Sequence, residues 1–272
     1  MDKYQFLKEE ERLDYTLQTL NEEILNYIEK RKEIANYILD YRKNFIEEHK
    51  DDEDALMEYF DHERYVKEES YKQIDKKLME LTKLKETPYF GKVIFSDEDE
   101  CQEEIYVGRY GLTKDATFEN VIIDWRAPIA SLFYKGSLGP ATYKTPDGEL
   151  PADILARRQF VIKKGSLQGY FDSEVDVKDE ILQMILSSNS GEKLKDIVMT
   201  IQQEQDDIIR EERMKVVVVN GVAGSGKTTI ALHRVAYLLY NYRQQLGNKV
   251  LVLGPNDIFV DYISEILPTL GE

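Results

Sequence analysis

Val216-Val217-Val218-Val219-Asn220-Gly221-Val222-Ala223-Gly224-Ser225-Gly226-Lys227-Thr228-Thr229 sets four branched apolar residues ahead of three glycines, a lysine and two threonines. Such a Val run reads as a buried strand, because β-branched side chains suit a pleated surface covered on both faces. Gly221, Gly224 and Gly226 let backbone N–H groups converge on a compact anion with no side chain in the way. A helix predicted from 227 to about 242 points its positive end at the same place. Lys227 can reach the outer phosphates of a triphosphate, and the Thr228 hydroxyl can hold Mg²⁺. The order of strand, glycine loop and helix is the context this P-loop requires. ATP and Mg²⁺ are therefore the expected cofactors, with Lys227 and Thr228 as the catalytic pair and Thr228 as the metal ligand.

Around this stretch, residues 177–272 read as the first portion of a parallel α/β domain. Helices are expected over 179–186 and 192–212. A second buried-type strand is expected over 249–253, followed by Gly254-Pro255-Asn256 and a last helix. ATP hydrolysis in this class also needs an acidic Mg²⁺ partner and a residue that orients water. After Thr228 the one predicted strand leads into Pro255-Asn256-Asp257 and not into paired acids. The expectation is that the chain is the N-terminal part of a longer protein, binding nucleotide poorly on its own and not hydrolysing it.

Upstream, residues 88–176 carry short runs such as 91–95, 104–108, 121–125, 132–134 and 159–162. Turn signals at Ser96-Asp97, Gly111, Gly136, Gly139-Pro140 and Pro146-Asp147-Gly148 separate them. This is the pattern of a small antiparallel β module. Trp125 and Arg126 sit in its most distinctive phrase, where a buried Trp beside a structural Arg is the plain expectation.

Residues 1–87 contain no Gly. Leu13, Leu17, Leu20, Ile24, Ile28, Ile34, Ile38, Tyr41 and Phe45 recur in steps of three and four, and a second stripe runs from Leu56 to Leu84. Between them lies His49-Lys50-Asp51-Asp52-Glu53-Asp54, with no apolar residue. Two narrow seams bury best against each other, which predicts an antiparallel helical hairpin with an acidic tip. At ~1.5 Å per residue, some 35 residues per helix make an arm roughly 50 Å long. The overall expectation is a multidomain chain, α+β and α/β: a coiled-coil arm, a β-rich module and a partial helicase-type P-loop domain.

The net charge of -16 argues against a surface that wraps nucleic acid nonspecifically. It suits a basic partner surface or channel. The single cysteine, Cys101, excludes an intrachain disulfide, and its neighbours Glu98, Asp99, Glu100, Glu103 and Glu104 argue against a reactive thiol. His49, His62 and His233 are too scattered for a metal site. With no apolar leader and no long apolar stretch, a cytoplasmic monomer with no membrane contact is expected.

Thr200-Ile201-Gln202-Gln203-Glu204-Gln205 together with Gly221 to Arg234, GVAGSGKTTIALHR, resembles the start of a superfamily 1 helicase motor of the UvrD type. The resemblance implies that Gln205 meets the adenine edge, with Gln202 as runner-up, and that the nucleotide-binding set is 221–229 with Gln205. The family often carries Arg where this chain has Thr229, so no phosphate contact from that side chain is implied. Leu251 to Asn256 is similar to the next helicase motif, a strand and loop that contacts single-stranded DNA in true helicases.

The leading hairpin, the phrase Ile123-Asp124-Trp125-Arg126-Ala127-Pro128-Ile129-Ala130, the P-loop and the ending Pro255 to Ile263 resemble the N-terminal part of the HelD family of helicase-like ATPases. That resemblance implies binding to core RNA polymerase, an arm in its secondary channel, and ATP use linked to releasing polymerase from nucleic acid. Asp51, Asp52, Glu53 and Asp54 would then enter first, although acids also simply favour a helix start. The alternatives are a conventional superfamily 1 DNA helicase with a scaffold hairpin, and a binding module with no enzymology of its own. DNA contact would come through further motor domains.

Overall fold

The computed structural model describes residues 3–48, 62–97, 101–145, 148–172, 201–212, 214, 216–222, 224–247 and 249–266. Helix α1 (Lys3–Glu48) and helix α2 (His62–Leu84) form the predicted antiparallel pair. Arg31 pairs with Asp75 and Arg42 with Glu68, while Lys67 lies over the Tyr37 ring, so the pairing residues run in opposite directions. The tip residues Asp51, Asp52, Glu53 and Asp54 lie outside the described residues.

The arm differs from expectation in its root. Helix α1 is 46 residues long, which at 1.5 Å per residue is ~69 Å. Its first half does not stand free. Leu13 and Leu20 are buried with Leu81 and Leu84 of α2 against Tyr89, Tyr106, Leu112, Ile122 and Phe160. The α1 seam is thus shared between a helix partner and a sheet. Buried Thr16 and Thr19 satisfy their hydroxyls by donating to the carbonyls of Arg12 and Tyr15, one turn back.

The sheet has seven strands: β1 (Gly91–Ser96), β2 (Gln102–Gly108), β3 (Leu112–Lys114), β4 (Glu119–Asp124), β5 (Gly139–Thr145), β6 (Gly148–Lys163) and β7 (Ser166–Asp172). Their order is β3-β4-β2-β1-β6-β5, and β7 also pairs with β6. The sheet is mixed, not purely antiparallel, because β2 and β4 run parallel. Gly139-Pro140, read as a turn, begins β5 instead. Leu132-Phe133-Tyr134, read as a strand-like run, is a single helical turn, α3 (Ser131–Tyr134). Pro128 opens a 3₁₀ turn (Pro128–Ala130) immediately before it, and its fixed φ winds the chain ahead of the apolar residues.

Alternation along the strands divides the apolar residues between two cores. Tyr89, Tyr106 and Phe160 face the arm root, while Phe90, Val93, Phe95 and Val107 face the other way. The second core also takes Trp125, Phe133 and Tyr134 together with Ile209, Ile230, Leu232, Ala236 and Tyr237. These last come from α4 (Gln203–Ile209) and α5 (Lys227–Asn241); α6 (Arg243–Leu246) and α7 (Asp257–Ile266) follow. A bulge opposite Ile94 and Phe95 leaves Leu155 as an extra residue in β6. It sends Ala152 and Ile154 into one core and Phe160 and Ile162 into the other.

The predicted helix over 192–212 begins only at Gln203 within the described residues. Gln202 is extended and caps it reciprocally with Gln205. The two predicted strands over 216–219 and 249–253 are not strands. Val216, Val218, Leu251 and Leu253 are 76%, 86%, 80% and 83% exposed. Among the described residues no ladder reaches either run, and an unpaired backbone has nothing to hold it in a sheet. A parallel α/β sheet in 201–266 is therefore absent among the described residues.

Candidate functional site

The glycine loop lies immediately before α5. Gly224 and Gly226 have φ of +80° and +82°, and Gly226 is the N-cap of α5. Nothing stands within 4 Å of where a Cβ would project at either one. What calls for glycine there is the backbone conformation, not the available space. Gly221 N–H donates to Asn220 Oδ1 at 2.9 Å. Lys227 Nζ donates to the carbonyls of Gly221 at 2.8 Å and Val222 at 2.6 Å, so its ammonium bridges its own loop. Ser225 N–H also donates to the Val222 carbonyl. The first intrahelical bond of α5 is Ile230 N–H to Gly226 C=O, which leaves the N–H groups of Lys227, Thr228 and Thr229 without helical partners. Exposed Thr228 lies in this turn, and Ala223 is outside the described residues. Positive-φ glycines, free N–H groups and one lysine make a donor set that fits an anion such as a triphosphate.

Gln205 stands apart from the loop's own hydrogen bonds. Its Oε1 accepts from Gln202 N–H at 3.2 Å, so this side chain serves as a helix cap. Gln203 Oε1 accepts from Gly136 N–H and ties the same helix to the sheet side.

Most of the local organisation comes from a segment read in the sequence as structural. Asp124 grips Arg126 through Nε and Nη2 at 2.9 and 2.8 Å, and both are buried. Three successive carbonyls are then captured by side chains of α5 and of the turn closing α4. Arg210 donates to Trp125 O at 2.6 Å and Ala127 O at 3.1 Å. Asn241 donates to Arg126 O at 3.2 Å. The remaining Arg210 nitrogen donates to Asp206 at 2.7 Å, and its guanidinium stacks near Tyr134 and Tyr237. Arg234 of α5 donates to the carbonyl of Ile208. The helix that carries Lys227 is thereby fixed to the end of β4. Sequence reasoning missed Arg210, Asp206 and Asn241. The one available signal was the i,i+4 spacing of Asp206 and Arg210, while the carbonyls they serve lie 83 and 85 residues away.

Trp125 and His233 close the anchor edge to face, with ring centroids 5.5 Å apart. His233 Nδ1 lies 2.7 Å from the Thr229 carbonyl, so Nδ1 carries the proton and Nε2 is left as an acceptor. Both that Nε2 and Trp125 Nε1 are buried without a partner. Burial pushes the imidazole below its ordinary value of 6.5. The unfolded chain therefore binds the proton first, and stability falls as the pH drops through 6.5 toward the folded value. His233→Phe is expected to flatten this part of the stability–pH curve between about pH 7.5 and 5.5. Urea melts of both proteins check it, and parallel curves would refute the buried neutral imidazole.

Among the described residues, no group of three His, Cys, Asp or Glu could hold a metal ion, and no helix is long and apolar enough to cross a membrane. No curated protein matches the chain. The family description "DNA helicase IV HelD, N-terminal domain" matches residues 6–184. That span takes in the arm, the sheet and the Asp124-Trp125-Arg126 segment, and stops before the glycine loop. An arm planted on one face of a mixed sheet is thus the architecture of a known helicase-like family, and the chain belongs to the HelD family.

Proposed function

We propose that this chain is the polymerase-binding end of a HelD-type ATPase. The arm enters the secondary channel of bacterial core RNA polymerase, with Asp51, Asp52, Glu53 and Asp54 leading. ATP and Mg²⁺ occupy the loop at 221–229, and ATP use is linked to release of polymerase from nucleic acid. In this reading Lys227 neutralises the outer phosphates, Thr228 holds Mg²⁺ and Gln205 meets the adenine edge, giving up its capping bond to do so. The supporting observation is the shared sheet: the arm root lies on one face and the helix starting at Lys227 packs on the other. A change at the loop therefore has a packed route to the arm.

Gel filtration with core RNA polymerase tests the partner, and fluorescent ATP analogue binding tests the loop. Co-elution is expected, and it weakens when the four tip acids become Ala. Lys227→Ala is expected to weaken Mg²⁺–nucleotide binding at least about tenfold, the loss of one charge-assisted contact. Absence of co-elution in moderate salt, together with nucleotide affinity unchanged by Lys227→Ala, sinks the reading. The matched family description names a DNA helicase, which supports a second reading as a conventional helicase with a scaffold hairpin. Unwinding of a tailed duplex by a protein indifferent to polymerase would favour it.

A further inference from the structure

On the outer half of α1, four large apolar side chains are not in the seam with α2. Leu25, Ile28, Leu39 and Ile46 are 61%, 47%, 63% and 58% exposed. Their steps of three, eleven and seven residues are close to one, three and two whole turns, so they fall on one line of the helix. Ile28, expected in the seam, belongs to this line instead. The line runs ~32 Å at 1.5 Å per residue. Exposed Glu29, Glu33, Asp40 and Glu47 form a second row at steps of four, seven and seven along one flank. On the other flank Arg31 and Arg42 turn inward to Asp75 and Glu68 of α2. Helix α1 thus shows solvent an apolar ridge edged by carboxylates, where a solvated helix face would be polar throughout.

We propose that this ridge is a docking surface along the side of the arm, distinct from its tip. Its occupant is an apolar groove bordered by Lys and Arg on the polymerase, and in naming that partner it rests on the function proposed above. Charge selects the occupant. A second copy would bring two such acid rows together between chains of net charge -16, and nucleic acid would set phosphates against the same row. A basic protein groove satisfies both rows at once. The apolar ridge then supplies most of the affinity, and the acid row supplies register and salt sensitivity.

The test uses the whole chain and core RNA polymerase, with binding measured over a salt series. Leu25→Gln, Ile28→Gln, Leu39→Gln and Ile46→Gln together keep helix propensity and replace only exposed side chains, and unchanged helicity and melting confirm the fold. This variant is expected to bind at least about tenfold more weakly with an unaltered salt slope. Glu29→Gln, Glu33→Gln, Asp40→Gln and Glu47→Gln together are expected to flatten the slope. Parent-like affinity of the first variant, with the parent binding normally, overturns the ridge and leaves the polymerase reading standing. A parent that fails to bind polymerase overturns that reading, and the occupant named here falls with it. Sedimentation that shows a parent dimer dissolved by the first variant assigns the ridge to a second copy and overturns the proposal.

Discussion

Arg210→Ala is expected to cost about 3–5 kcal/mol of folding stability, the range for removing one partner of a buried ion pair. The loss has three parts. The Asp206 carboxylate, 3% exposed, is left facing a cavity with its charge uncompensated. The carbonyls of Trp125 and Ala127 lose their donor inside the same core. The stacking surfaces of Tyr134 and Tyr237 lose the cation between them. Arg210→Lys should recover little, because one ammonium at the end of a flexible stem cannot reproduce three bonds set in a plane. Thermal and urea melts measure the cost. Losses below about 1 kcal/mol would mean that the anchor is solvated and that Arg210 acts as a surface residue.

Glu9→Ala is expected to be of similar size, and its effect should appear in the arm. Glu9 is 1% exposed and is the shared acceptor for Lys92 at 3.3 Å, Arg158 at 2.7 Å and the Tyr106 hydroxyl at 3.0 Å. Arg158 keeps Asp172 and Lys92 keeps Glu104, yet both of those carboxylates stand toward solvent. The variant therefore leaves two cations partly buried at the root of α1, at a cost of about 3–5 kcal/mol. Amide exchange should rise over the first turns of α1 and at β1 and β6 before it rises at α5. Uniform protection loss across the chain would show instead that root and sheet do not unfold as a separate unit.

The features legible in the sequence are those fixed by local pattern. The 3.6-residue period of Leu13, Leu20, Ile34 and Ile38 shows the long helices, and the Lys227–Asn241 helix matches the predicted one within a residue. The glycine loop was also readable, because positive φ at Gly224 and Gly226 is written in the residue type. Short strands were not. Leu112–Lys114 has three residues, and Gly139–Thr145 has only half-buried or exposed positions, so neither carries an alternating signal. Val216 to Val219 shows the opposite limit: strong strand propensity without a pairing partner leaves exposed chain. The anchor was invisible because Arg210 and Asn241 recognise backbone carbonyls, which are the same whatever residue bears them.

The extra residue in β6 means that this strand cannot be scored by one rule of odd and even positions. Before Leu155 the inward set is Ala152 and Ile154; after it, arm-facing Phe160 and Ile162 take the phase that those two would otherwise have held. Two patterns are spliced out of phase in one continuous segment, like text shifted by one letter. Side chains along β6 can be exchanged for others of like volume, but the count of residues on either side of the splice cannot change. Adding or losing one would turn one set of apolar groups toward the wrong neighbour and unseat the arm root or the Trp125 core. The relative placement of the two halves of the molecule is therefore held by an integer as much as by any bond.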